Sequence, residues 1–490
     1  MALIYLADIS HSAGTLRFSS KKSVTVGGNS YQPFIKQPAF MGQSISFDSS
    51  FGGAMSSTLG ELTILNRERS LDYIKSYIVE GYNLVLSIYD TSTGAKTALI
   101  TKVVEQLVFE WDIISVRLQD NSTLLEKPLQ TKVFLGNNTL PNGVEGVTDL
   151  KDQRKPLIFG RVSNMTPVLV NSSKLIYQIS SEGVQQLVSV MSEGAFITPS
   201  SNTITSLADL SSDAVGKVPL AGTFTFYSGS EGSFFRLGMA GGTVTCSAWE
   251  KTLPSDCSLS AVVQRILTLA GYNSSNWVAG DFTTLDALNA DSVGYVISAD
   301  ESISNILTAL CSGVGCFWGF DGNNLFRIFQ FGDFAQTSLG QINNRTPTDQ
   351  YGLTTYEVEN PSLIGKPAPI KEITLNYDKN FTVMDKASQA GIVQVEQIDR
   401  SNWLSQEWRQ VHKTTSSSFP LAQSITYDAY FISEFAASAE ATRILSLFST
   451  DKDLVNAVVR LPYSFLTTLF PGKLVTLFLP RYSMTTGKSF

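Results

Sequence analysis

Apolar and polar residues alternate with a period of two through much of the first third of the chain. Leu62 and Ile64, then Leu84, Leu86 and Ile88, then Ile114, Val116 and Leu118 each fall on one side of an extended segment. This is the pattern of strands with one buried face. Turn-forming stretches separate them, Val26-Gly27-Gly28-Asn29-Ser30 and Asp90–Gly94 among them, and Ser70–Ile78 predicts one short helix. From Leu135 to Arg154 the sequence LGNNTLPNGVEGVTDLKDQR is loop-like and marks the first boundary. Strands resume at Leu157–Val162, Val168–Val170 and Leu175/Tyr177/Ile179. A polar tract from Thr198 to Val215 follows, and the strand patterns Thr223–Tyr227 and Thr243–Ala248 then bracket FFRLGMAGG.

The period changes at Ser258. Leu259, Val262, Val263, Ile266 and Leu267 recur at helical spacing, with Ser258 as N-cap and Gly271 as the stop. A second helix carries Ile303, Ile306, Leu307 and Leu310 and ends near Gly313. It leads into the strand Cys316–Phe320, the turn Asp321–Asn324 and the strand Leu325–Phe331. After a linker at Gln336–Tyr351, strands are expected at Ile373/Leu375/Tyr377, an alanine-rich helix at Glu434–Ser449, and strands at Asn456–Leu461 and Leu474–Leu479. The expected fold is mainly β with an α+β insert, in four segments: residues 1–150, 151–255, 256–340 and 341–490.

A length of 490 residues suits several domains, and 43% apolar with 16% charged residues describes an ordered globular chain. The net charge is −7, and basic residues occur in small groups such as Lys21-Lys22 and Arg154-Lys155, never as a stripe. Nucleic-acid binding through neutralised phosphates has little support. The opening MALIYLADISHS lacks the basic region and apolar length of a signal peptide, and no apolar run reaches bilayer length. Synthesis in a cytoplasm, with reduced thiols, is the expectation.

Catalytic signatures are sparse. His11 and His412 are far apart and flanked by polar residues, so both are expected to be solvated. There is no G-x-S-x-G, H-E-x-x-H or Walker loop: Gly487-Lys488-Ser489 lacks the earlier glycine, and Gly313-Val314-Gly315 with Gly319 misses the dinucleotide spacing. Glu110 and Asp112 flank Trp111, and paired carboxylates can cleave glycosides, but a wet outer strand face is the better reading of them. Cys246, Cys257, Cys311 and Cys316 offer four thiolates to zinc or an iron–sulfur cluster. Against this, Cys246 shares a strand face with Val244 and Ala248, Cys311 follows Leu307 by four, and Cys316 alternates with Trp318 and Phe320. Each has a place as a small hydrophobe, so packing thiols and no cofactor are expected.

KPLIFGRVSNMTPVLVNSSKLIYQIS (Lys155–Ser180), followed by EGVQQLVSVMSEGA, resembles a block found in tail proteins of long-tailed bacteriophages. GSFFRLGMAGGTVT (Gly232–Thr245) and GELTILNRERSLDYI (Gly60–Ile74) resemble two more, and LVTLFLPRYSMTTGKSF (Leu474–Phe490) resembles their closing segment. SLSAVVQRILTLAGY with ESISNILTALCSGVGCFWGFDGNNLFRI is similar to the middle of baseplate hub proteins, which share the order helix, helix, hairpin. The resemblance implies a baseplate hub in the virion's tail tip: a homotrimer assembled in the host cytoplasm, with β-barrel domains near both ends of the chain (1–150 and 341–490). It further implies neighbours in a distal tail or tail tube protein, the tape-measure protein and a central fibre or spike, with DNA only in transit. Three subunits with two barrels each would offer six similar surfaces to a sixfold tube. Some related tail-tip proteins hold an iron–sulfur cluster after the first barrel, but Pro128–Asp152 contains no cysteine. The resemblance also implies a return strand following the turn Ser483–Gly487. Pro156, Gly160 and Pro167 are expected to fix turns and an edge, and Phe234, Phe235 and Leu237 to pack in a core. A cell-wall hydrolase or a receptor-binding tail protein are the alternatives. The first would need a carboxylate pair in a cleft or a thiolate-held metal, the second an isolated chain that sticks to host cells.

Overall fold

The computed structural model describes residues 3–45, 51–138, 143–332, 336, 338–343, 352–359, 369–417, 419–450, 454–460, 469–478 and 488–489. Strands predominate and helices are few, as the pattern predicts.

The first sheet has seven strands in the order Gly14–Ser19, Leu3–His11, Asn83–Asp90, Lys96–Phe109, Ile113–Gln119, Leu62–Leu65, Ile35–Gln37. Its alternating residues meet across the strands: Leu84 lies opposite Ile9, Leu86 opposite Ala7, Ile114 opposite Ile64 and Val116 opposite Leu62. All eight are buried in one cluster, so the period-two pattern has become the wall of a core. Register shifts at Leu86/Ser87 and Val104/Gln106 bend the long strands. The sheet's two edges are tied by one stretch of chain. Gln32 bonds to Arg17 O (3.1 Å) and Ser19 N (2.6 Å), and Phe34 O accepts from Leu65 N (2.7 Å). The sheet is thereby curled into a half-barrel.

The second sheet has nine strands in the order Val168–Asn171, Ile176–Ser180, Gly232–Leu237, Thr223–Gly229, Ala195–Pro199, Gln186–Ser192, Val244–Trp249, Leu157–Met165, Gly294–Ile297. It too curls, since Ser181 N, after the second strand, donates to Pro156 O, before the eighth (2.6 Å). Leu157–Met165 switches partner midway. Leu157–Gly160 pairs with Gly294–Ile297, and Arg161–Met165 with the strand Val244–Trp249. Gly160 sits at the switch with φ +65°, where a Cβ would lie 1.9 Å from Val293 O, so only glycine fits. Phe234 and Phe235 face two different clusters, and Leu237 is buried with Phe235.

Several elements depart from expectation. Ser70–Ile78 forms no α-helix: 3₁₀ turns at Arg67–Arg69 and Asp72–Ser76 take its place. Glu68 and Arg69 have left-handed backbones, which break the path, and Asn66 holds the turn by accepting from Leu71 N (2.9 Å). Helices Ala279–Leu288, Gly391–Glu396 and Ile398–Leu404, and strands Arg409–Thr414 and Gln423–Asp428, were not legible in the pattern. His11 is not solvated. It is 8% exposed and stacks on Tyr77 at 4.2 Å between ring centres, because its strand face turns onto the 3₁₀ segment. His412 is exposed, with Nδ1 2.8 Å from Thr374 Oγ1.

In the last segment Ile370–Tyr377 lies between Arg409–Thr414, antiparallel, and Gln423–Asp428, parallel. Helix Glu434–Phe448 packs over it through Ala436, Ala437 and Ala441, whose small side chains let helix and sheet approach closely. A further sheet has the order Leu454–Arg460, Gly352–Glu359, Gln341–Asn343, Thr476–Phe478, Lys488–Ser489. Lys488–Ser489 runs antiparallel to Thr476–Leu477. The turn Ser483–Gly487 and most of the linker Gln336–Tyr351 lie outside the described residues, as does much of the expected C-terminal barrel.

Candidate assembly site: the interdomain junction and exposed apolar faces

The segment CSGVGC (Cys311–Cys316) lies where the parts of the chain converge. Helix Ile303–Ser312 is capped by Ser302, whose hydroxyl accepts from Asn305 N (3.2 Å), and it buries Ile303, Ile306, Leu307, Leu310 and Cys311 completely. The hairpin Cys316–Phe320/Phe326–Gln330 pairs Phe317 with Phe329, Trp318 with Ile328 and Phe320 with Phe326. Asp321 Oδ1 closes its turn by accepting from Asn323 N (2.8 Å) and Leu325 N (3.1 Å).

Into this module the first segment inserts a peptide. Gly53–Ala54 adds a parallel strand beside Phe317–Trp318, and Met55 N donates to Trp318 O (2.8 Å). Phe51 fills the core, 5.3 Å from the Tyr427 ring and 4.9 Å from that of Phe448. Between them, a Cβ on Gly52 would lie 2.3 Å from Cys316 O and 2.7 Å from Cys311 O. The backbone therefore runs directly over the two cysteines, and only glycine fits. On the other side Gly313 abuts Ala429, and Gly315 abuts the ion pair Glu440–Arg443. Small residues stand at 311–316 because separate elements touch the backbone there.

Glu440 in this ion pair is buried, and Arg443 is partly so. Arg443 Nε and Nη2 donate to the two Glu440 oxygens (2.8 and 2.7 Å), Nη1 donates to Phe331 O (2.6 Å), and Gln330 Nε2 donates to Glu440 (3.3 Å). Burial pushes the Glu440 carboxyl up, and Arg443 opposes that shift. One hydrophobic cluster joins Phe51, Leu125 and Leu129 to Leu157 and Phe159, to the helices and hairpin of 259–328, and to 370–448. It draws on all four segments. A polar seam adds to this: Ser163 Oγ donates to Asp378 (2.9 Å), and Asn164 Nδ2 donates to Asn380 Oδ1 (2.7 Å) and Thr382 O (2.9 Å). Burial raises Asp378, against the pull of Ser163 and Arg409.

All four cysteines are free and buried. Cys246 lies in the core of the nine-stranded sheet, whereas Cys311 and Cys316 lie in the composite core. Cys257 Sγ donates to Lys251 O (3.3 Å). The structure does not bring the four together, and the described residues contain no group of three or more metal-ligating side chains. Burial pushes each thiol up, away from the thiolate form. Glu110 and Asp112 stand exposed at a hairpin tip beside Trp111, which is 81% exposed and carries the Arg69 guanidinium over its ring at 5.5 Å. A cavity of about 50 Å³ lies beside the Asp281–Arg327 ion pair and Phe470. It falls far short of the several hundred Å³ of a substrate cleft.

Two exposed apolar faces stand out. Val215, Leu220 and Met239 project from loops at one end of the nine-stranded sheet, where Leu220 O lies against Gly238. Ile392, Val395 and Ile398 project from the helices at 391–404, near Phe196, whose ring carries Arg400 at 3.3 Å. Faces of this kind mark contact surfaces. Sequence reasoning did not find them, because Thr198–Val215 reads as a polar tract and 391–404 carries no clear apolar period. Among the described residues no helix is long and apolar enough to cross a membrane.

No protein-family profile matches the chain, and no curated protein matches it. Solved structures that align with it include two from tail and virion particles. The tail protein from Neisseria meningitidis MC58 is 8% identical, over 97% of this chain and 86% of that one, with a TM-score of 0.37. A chain from the virion of a native gene transfer agent particle is 10% identical, over 51% of this chain and 81% of that one, with a TM-score of 0.21. At these scores neither alignment fixes a role.

Proposed function

We propose that this chain is a structural baseplate hub in the tail tip of a long-tailed phage, non-catalytic and working as a homotrimer. The observation that carries the reading is a pair of large sheets, each curled on itself, joined to a helix–hairpin module through one composite core. The phage-tail-like sequence blocks lie along the same elements. Lys155–Ser180 spans the eighth, first and second strands of the nine-stranded sheet, and Gly60–Ile74 holds a strand of the first barrel. A ring component must transmit force between neighbours without slipping. Strands of one part paired into the hairpin of another, as at Gly53–Ala54, suit that demand.

In this reading the barrels face the tube or distal tail protein, and the exposed faces at 215–239 and 391–398 meet neighbouring subunits or the central fibre. The hub closes the tube around the tape-measure protein and opens for DNA. Labelling purified tailed particles with antibody against this chain, viewed by electron microscopy, tests the proposal. Label confined to the far tail end, or appearing there only once tips are disrupted, is the expected result. Absence of the chain from particles would overturn it, and peptidoglycan cleavage abolished by mutating Glu110 or Asp112 would favour a hydrolase instead.

A further inference from the structure

Lys102 lies mid-strand in the first barrel, yet its side chain is completely buried. Its Nζ donates to Asp321 O (2.8 Å) and to Asn324 Oδ1 (3.0 Å), in the turn of the central hairpin. Backbone pairing fixes the approach, because Thr101 N donates to Gly322 O (2.6 Å). Asn324 is 9% exposed and held at φ +59° in a turn that Asp321 locks. An amine and a carboxamide from distant parts of the chain thus touch where water is excluded. Among the described residues no carboxylate oxygen bonds Nζ directly. The charges facing it are those of Asp120, buried at the end of strand Ile113–Gln119, and Asp321. Burial brings Lys102 down to about 8, so about a tenth of the amine is neutral at pH 7. Asp120 Oδ1 accepts from Ser122 N (3.0 Å). The buried Tyr272 hydroxyl, which also feels the Asp120 charge, has no hydrogen-bond partner among the described residues.

We infer that Lys102 and Asn324 join in an intramolecular isopeptide bond that ties the first barrel covalently to the central hairpin. The neutral amine attacks Cγ of Asn324 and an Nζ–Cγ bond forms. The proton shed by the amine passes to the departing amide nitrogen, whose bond to Cγ breaks, and which leaves as ammonia. Nothing is oxidised or reduced, and no co-reactant is consumed. Proximity in a dry, prearranged site supplies the rate. The pair Lys386–Asn402, also in contact (Nζ to Oδ1 2.8 Å), is a built-in control. Lys386 is exposed, water solvates its ammonium, and this pair stays unlinked.

Intact-mass measurement of the purified full chain, followed by peptide mapping, tests the inference. The expected mass is one ammonia below that of the sequence, with a branched peptide joining Lys102 to Asn324. Lys102→Arg and Asn324→Ala, each shown to be folded by circular dichroism, each carry the full mass of their own sequence. Wild-type protein that is folded and carries the full sequence mass overturns the bond, and that measurement needs no variant. An ammonia deficit mapped elsewhere, such as a succinimide, overturns it equally.

Discussion

The first barrel and the central junction use similar residues but obey different logic. In the barrel, inward residues alternate along neighbouring strands, and the core of Ala7, Ile9, Leu62, Ile64, Leu84, Leu86, Ile114 and Val116 is drawn from one continuous part of the chain. In the junction, the core gathers Phe51, Phe159, Leu310, Trp318, Tyr427 and Phe448 from across more than three hundred residues. Damage to the first should stay local. Damage to the second should loosen several parts at once, as expected of a piece that transmits force.

Replacing Arg443 by Ala should have the largest effect, about 3–5 kcal/mol, because Glu440 is left buried without its partner. Phe51→Ala should follow at a similar 3–5 kcal/mol through the cavity it leaves. In denaturant titrations both should shift the transitions of barrel and module together. If only one transition moves, the composite core does not couple them. Val116→Ala, deep in the barrel, should cost about 1–3 kcal/mol and move the barrel's signal alone.

Gly52→Ala sharpens the contrast. Its Cβ meets backbone atoms that cannot swing aside, so about 1–3 kcal/mol is expected from one added methyl group. The cysteines probe the same place chemically. Buried and with thiols pushed up, all four should resist alkylation until the chain unfolds, and a chelator should leave the melting temperature unchanged. Rapid labelling of Cys311 or Cys316 would mean that the inserted peptide detaches in the native state.

The smallest effects belong at the periphery. Trp111→Ser, at an exposed hairpin tip, should change stability by less than about 0.5 kcal/mol. Asp209 is held down to about 2, first by the Thr205 hydroxyl and then by Lys217. A depressed carboxylate contributes fully above its ordinary value of 3.8 and loses that contribution as pH falls towards 2. Acid should therefore loosen the 205–217 loop first, visible as faster amide exchange there while the barrel's amides stay protected.

The expected strands at 62–64, 84–88 and 114–118, the helix capped by Ser258 and the helix carrying Ile303, Ile306, Leu307 and Leu310 were legible because their signals are local. A period of two or 3.6 and a hydroxyl before an apolar run need no knowledge of the partner. Strand Arg409–Thr414 was not legible because only Val411 is buried, and helix Ala279–Leu288 buries just Phe282 and Leu285. Such elements hold their shape through neighbours rather than through their own pattern. His11 misled for a related reason. Its polar flanks predict water, but Tyr77, brought by a distant segment, covers it.

The sequence by itself determined where the chain alternates, where helices start, and that Cys246, Cys311 and Cys316 stand on apolar faces. Only the tertiary structure decided that Gly52 threads between Cys311 and Cys316, that Arg443 closes on Glu440 beneath Gly315, and that Lys102 reaches Asn324. Periodicity records which side of an element is buried. It carries no address for the atom that will press against it, and close approach between distant backbones is fixed only when the whole core packs.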